Sequence, residues 1–256
     1  MTTPVLAELL GLAFLAGFID AVAGGGGLIQ VPALFVLMPG VAPATLLGTN
    51  KFASIWGTAA ATIQYTRQVP MIWRSVLPTC AAAVIAGFAG ARTVAHVPSD
   101  FMRPLVLVLL VGVLIYTLWK KDFGHLHAPR LSHRQQIGMG LATGAALGFY
   151  DGFFGPGTGS FLIFAFVGLF GFSFLAASAS AKAVNVITNV SAIAYFASSG
   201  HILYSTALPM AVFNVAGALT GSHLAIRRGS GFVRAIFLVV VGALMLRFVW
   251  DLLGAR

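Results

Sequence analysis

The stretch Gly17-Phe18-Ile19-Asp20-Ala21-Val22-Ala23-Gly24-Gly25-Gly26-Gly27 decides the fold, because it sets a carboxylate in an apolar run and ends that run on four glycines. Four consecutive glycines do not sustain a helix, so the chain breaks there and resumes at Leu28 to Met38. A proline-bounded loop then leads to Gly48-Thr49-Asn50-Lys51. Further along, Gly148, Phe149 and Asp151 match Gly17, Phe18 and Asp20. Gly155-Pro156-Gly157-Thr158-Gly159 stands in place of the glycine run, and Ser180-Ala181-Lys182 in place of Thr49-Asn50-Lys51. Asp20 and Asp151 are 131 positions apart, as are Lys51 and Lys182. The same offset pairs Pro78 with Pro209, Gly90 with Gly221, Phe101 with Phe232, Arg103 with Arg234 and Trp119 with Trp250. Apolar residues agree easily by chance, but Asp, Lys, Arg, Pro and Trp in one register indicate an internal duplication.

Working outward, 59% of the 256 residues are apolar and only 8% are charged. Water-soluble domains carry about 25% charge, so this chain belongs in a bilayer. Several apolar runs reach the roughly 20 residues of a spanning helix, and strand-like alternation is absent, which leaves helices to satisfy the backbone. The basic residues behind the net charge of +9 stand at the ends of apolar runs, so they read as topology signals and no nucleic-acid partner is expected. The single cysteine, Cys80, excludes an intramolecular disulfide and a cysteine-based metal site. The histidines show no metal spacing either, so neither a metal nor another cofactor is expected. The segment Met1 to Glu8 lacks the basic start of a signal peptide, and the first apolar run is expected to remain in the mature protein.

The apolar segments run from Val5 to Ala23, Leu28 to Met38, Thr45 to Tyr65, Met71 to Ala95 and Phe101 to Trp119. After the polar loop they run from Gln135 to Phe154, Gly159 to Phe170, Phe174 to Ser198, Leu203 to Ile226 and Phe232 to Trp250. The expected organisation is a first repeat over 1–119, a cytoplasmic connecting loop over 120–134 and a second repeat over 135–256. Basic residues in short loops favour the cytoplasmic side. With Lys120 to Arg134 inside, Arg227, Arg228 and Arg234 fall inside only if the pieces flanking Gly155 to Gly159 leave the parity unchanged. The second of those pieces, about 12 residues at 1.5 Å each, is too short to cross a core about 30 Å thick, so a hairpin is the better reading. The expected fold is an all-α polytopic membrane protein of two inverted repeats, each a broken helical hairpin plus three transmembrane helices, with both termini outside.

Asp20, Lys51, Asp151 and Lys182 remain as ionisable residues inside the apolar runs, each costing about 3 kcal/mol at a helix centre. Each Asp could pair with a Lys and hold the repeats together. Alternatively each Lys, expected about six residues into its helix, could snorkel to the interface. Snorkelling accounts for neither the aspartates nor the glycines. Glycine breaks free backbone N–H groups where a short helix restarts, and with the positive end of the helix dipole these favour an anion. Close helix packing through small residues is the competing reading of Gly24 to Gly27. Pro156 argues for a broken backbone in the second copy. The candidate substrate-binding residues are therefore Gly24, Gly25, Gly26, Gly27, Asn50, Lys51, Gly155, Pro156, Gly157, Thr158, Gly159, Lys182, Asn185 and Asn189. Asp20 and Asp151 are candidates for coupling or charge pairing. Ser54, Thr58 and Thr62 share one helix face, Asn185 and Asn189 another, and Gln30 and Asn214 are weaker members of the polar set.

At these residues the chain resembles the sulfite exporter TauE/SafE family, bacterial membrane transporters with two repeated halves. The resemblance rests on Gly17-x-x-Asp20 with its glycine run, on Gly48-Thr49-Asn50-Lys51, and on their second-half counterparts, and it covers nearly the whole chain. It implies a multi-pass permease of the bacterial plasma (inner) membrane, with sulfite, sulfoacetate or related sulfur-containing organic anions as the substrate class. Ala181 stands where the first half has Asn50, so the two half-sites are not expected to bind identically. The function expected is secondary transport of a small anion by alternating access, with a proton or cation as the possible coupling partner. An anion channel and a non-transporting membrane scaffold are the alternatives. An intramembrane enzyme is not expected, since no Ser/His/Asp set or metal cluster falls inside the apolar runs.

Overall fold

A computed structural model describes residues 3–98, 101, 108 and 131–254, with the backbone alone described at 3, 230, 233, 234 and 236–254. Most of the Phe101 to Trp119 segment, the connecting loop up to residue 130, and the side chains of Arg103, Arg234, Trp119 and Trp250 lie outside the described residues. Among the described residues the fold is all-helical. The helices are α1 (Thr3–Ala23), α2 (Gly27–Leu37), α3 (Pro43–Gln68), α4 (Trp73–Ala95), α5 (His133–Phe153), α6 (Thr158–Gly168), α7 (Phe174–Ser198) and α8 (Tyr204–Gly254). Gly229, at φ 71, breaks α8 into two pieces. Pro43 starts α3, where its missing N–H costs nothing. Ser132 and Gln135 form a capping box at the start of α5.

Among the described residues three helices are long and apolar enough to cross a membrane: Pro4–Ala23, Trp73–Ala95 and Tyr204–Gly229. The other long helices, α3, α5 and α7, carry the polar residues and glycines that face inward. Large apolar side chains point outward instead, among them Trp56, Ile63, Ile85 and Val212, the distribution that hydrocarbon and not water favours.

Packing follows the 131-residue offset. Helix α1 lies along α8, and α5 lies along α4, so the first helix of each hairpin packs on a helix from the other part of the chain. Small residues permit the close approach. A Cβ at Gly17 would collide with the Asn214 carbonyl oxygen, and one at Gly148 would lie 2.7 Å from the Ala83 Cα, the position that corresponds to Asn214. In the same way Gly221 faces the Phe18 carbonyl oxygen and Gly90 faces that of Phe149. Helices α3 and α7 pack against each other between these two pairs.

The end of α1 is buried, so its last carbonyl groups need partners from elsewhere. Tyr65 of α3 donates to the Ala21 oxygen at 2.9 Å, and Ser178 of α7 donates to the Val22 oxygen at 3.2 Å. Ser160 of α6 donates twice, from Oγ to the Ala23 oxygen at 2.9 Å and from its backbone N–H to the Gly24 oxygen at 3.1 Å. Three helices thus anchor one glycine break.

Candidate functional site

Lys51 is the ninth residue of α3 and Lys182 the ninth of α7, and both are buried. Snorkelling is overturned by that burial. Lys51 Nζ lies 2.6 Å from Asp151 Oδ2, and Lys182 Nζ lies 2.8 Å from Asp20 Oδ2. Each lysine therefore meets the aspartate from the other side of the connecting loop, and replacing each residue by its counterpart 131 positions away turns one pair into the other. The carboxylates sit in the last turns of α1 and α5, at the negative ends of the helix dipoles, where the nearby ammonium groups offset an unfavourable field.

The two pairs differ in surroundings. Asp20 Oδ2 takes a second donor, Thr58 Oγ1, at 3.4 Å. Asp151 Oδ2 holds the Lys51 ammonium but accepts no well-aligned hydrogen bond. The side chain of Lys182 is 0% exposed and that of Lys51 is 5% exposed.

The two glycine breaks meet at their tips. Gly24, at φ 76, takes the left-handed conformation open to glycine, and a Cβ there would run into the Gly159 backbone. A Cβ on Gly27 would lie 3.0 Å from the Pro156 Cα. Gly26 folds back on α1, with room for a hydrogen alone beside the Ala16 oxygen and the Asp20 Cβ. The Ser160 N–H, in the first turn of α6, donates to the Gly24 oxygen and so is not free for a ligand.

Between the breaks and helices α3 and α7 lies a cavity of about 40 Å³. Its wall holds Asp20, Gly24, Gly26, Gly27, Asn50, Lys51, Asp151, Gly155, Gly159, Asn185 and Asn189 of the residues singled out in the sequence. Gly25, Pro156, Gly157, Thr158 and Lys182 are not part of it. Gly157, at φ 83, caps α6, and Thr158 Oγ1 donates to the Gly155 oxygen at 2.7 Å. The Pro156 oxygen accepts from Tyr150 at 2.8 Å, and Gly25 packs beside Ile19 and Leu28. These residues shape the break from behind.

Gln30, Ser54, Thr58 and Asn214 also line the cavity, as does Ala16. Asn214 donates to Gln30 Oε1 at 3.2 Å, so two weak candidates prove to be one bonded unit. Gln30 Nε2, Asn50 Oδ1 and Asn185 Oδ1 are buried without a hydrogen-bond partner. Buried polar atoms of this kind are costly unless a ligand or water meets them. Tyr65 and Ser160 were missed in the sequence because a hydroxyl that caps a distant helix leaves no spacing signal.

Residues 9–248 match the family model described as "Sulfite exporter TauE/SafE". The chain belongs to this family. It is 35% identical to the "Probable membrane transporter protein ORF9" of Sinorhizobium sp., over 96% of this chain and 93% of that protein. It is 33% identical to the "Probable membrane transporter protein YfcA" of Escherichia coli strain K12, over 98% of this chain and 92% of that protein. A "Probable membrane transporter protein" of Haemophilus influenzae is 32% identical, over 96% and 95% respectively. No solved structure matches the chain. TauE/SafE membership, with three apolar spans among the described helices, makes this a membrane protein of a transporter family.

Proposed function

We propose that the protein is a multi-pass secondary transporter of the bacterial inner membrane that moves a small anion, sulfite or a related sulfur-containing anion, by alternating access. The observation that carries this reading is the cavity between the two glycine breaks. It combines an ammonium group, Lys51, with the carboxamides of Gln30, Asn50, Asn185, Asn189 and Asn214, and Gln30 Nε2 is a buried donor lacking a partner. A cavity of about 40 Å³ exceeds the roughly 10–15 Å³ that one water needs, which suits a small oxyanion. Discontinuous helices meeting at mid-membrane are how many transporters with repeated architecture hold substrate.

Inverted repeats fit the same reading. Contacts and ion pairs that exchange under one sequence offset are what two similar units facing each other produce, and rocking one unit against the other would open the cavity to either side. The relatives' descriptions as transporters support transport over a scaffold, and over catalysis, without naming a cargo. The ion pairing of both lysines favours one further element: their charges also hold the fold together, so the anion competes with a carboxylate. The test is uptake by purified protein in liposomes, screened against sulfite, sulfate, thiosulfate, sulfonates and carboxylates. Saturable uptake with exchange of one class supports the transporter. Non-saturating flux means a channel, and no flux with any of them leaves a scaffold.

A further inference from the structure

The two ion pairs are equivalent in sequence but differ in which members line the cavity, although Asp20, with its side chain 20% exposed, is more open than Asp151 at 6%. Lys51 and Asp151 both line it, whereas of the other pair only Asp20 does, and Lys182 is fully buried behind it. We propose that Lys51–Asp151 is the exchangeable pair: the entering anion takes the place of Asp151 on Lys51, and Asp151 takes up one proton from the water on the same side, so that a monovalent anion and a proton bind together. This rests on the anion-transport reading above and assigns its coupling ion and the residue that carries it.

Charge and geometry support it independently. Two lysines and two aspartates leave the site neutral, and it stays neutral when an anion and a proton arrive together. An anion alone would add an uncompensated charge in a place with little water. The groups facing Asp151 are few. Lys51 reaches it from α3, Tyr150 adjoins it on α5, and Asp20 of α1 lines the same cavity, with Lys182 of α7 engaged on Asp20. Helix α4, along the next face of α5, offers Gly87 against Gly152, and the α5–α6 connection offers glycines and Pro156. Lys51 is thus the sole cation bonded to Asp151 among the described residues, and Asp151 Oδ2 lacks the second donor that Asp20 has in Thr58. Two acceptors on the wall of the same cavity, Asn50 Oδ1 and Asn185 Oδ1, are buried without a partner. Protonating Asp20 instead would strand Lys182 where the anion in the cavity does not touch it.

The experiment uses purified full-length protein in weakly buffered detergent with a pH-sensitive dye, and methanesulfonate, which does not titrate near neutral pH, as the probe. Wild type should take up about one proton for each anion bound, so that affinity falls as pH rises, roughly tenfold per pH unit wherever one full proton is taken up on binding. Asp151→Asn should bind methanesulfonate with no proton uptake and no dependence on pH over that range. Binding by wild type without proton uptake, or uptake that persists in Asp151→Asn, overturns the proposal. Thermal melting of the same variants without any anion gives a second reading, in which Asp20→Asn lowers the melting temperature more than Asp151→Asn. Equal loss in both overturns the inequivalence of the pairs. Absence of any anion binding by wild type would sink the anion reading itself, and the melting comparison would then still decide whether the two pairs differ.

Discussion

Among the described residues Lys182 has one acidic partner, Asp20, and its side chain is fully buried, so its removal and the removal of Asp20 should each be expensive. Taking one member from a buried pair costs about 3–5 kcal/mol because the other charge is left behind. Lys182→Met should therefore melt well below wild type, and Lys182→Met with Asp20→Asn should recover most of the loss, which thermal melting at matched expression will read. Lys51→Met should behave differently. Combining it with Asp151→Asn should restore stability but leave anion uptake abolished, since the cation that meets the substrate is gone. Wild-type uptake by that double variant would mean that Lys51 serves the fold alone. The acidic and basic residues were legible in the sequence as a repeated set of four. Their pairing was not, because the same interval separates Asp from Lys in both copies and spacing alone fits pairing within a copy as well as across copies.

The broken hairpins depend on backbone approach that a single methyl group would prevent. Gly24→Ala meets two obstacles, a positive φ that costs about 1–2 kcal/mol for a residue with a Cβ, and the Gly159 backbone in the way of that Cβ. Uptake should fall by an order of magnitude or more in Gly24→Ala while the helices stay inserted, a contrast that protease protection and uptake assays measure together. Gly17→Leu and Gly148→Leu should both destabilise, since each forces apart an α1–α8 or α5–α4 contact, and similar losses in melting temperature are expected. The glycine runs announced where α1 and α5 end, since nothing else in the chain opens the backbone so plainly. What satisfies those ends was hidden. Tyr65, Ser160 and Ser178 reach the α1 carbonyl groups from three different helices, and their distances along the chain carry no pattern.

For the molecule as a whole, the proposed inverted arrangement makes a statement about sides. Single cysteines in a Cys80-free background should label from outside in the Arg92 to Arg103 region and from inside in the Arg227 to Arg234 region. Labelling of both from one side would rule the arrangement out. Cutting the chain within Lys120 to Arg134 and expressing the pieces separately should leave neither stable in the membrane, and co-expression should rescue both, as immunoblots of membrane fractions will show. The crosswise ion pairs also set a clock on synthesis. Lys51 is made 100 residues before Asp151, and Asp20 is made 162 residues before Lys182. At about 5–20 residues per second, the first lysine waits roughly 5–20 s and the first aspartate about 8–32 s for its counterion. During that interval lipid is a poor place for either charge, so the early helices must stay beside the insertion machinery or in contact with water. Ribosome pausing between those positions should prolong the wait and expose the nascent chain to membrane proteases.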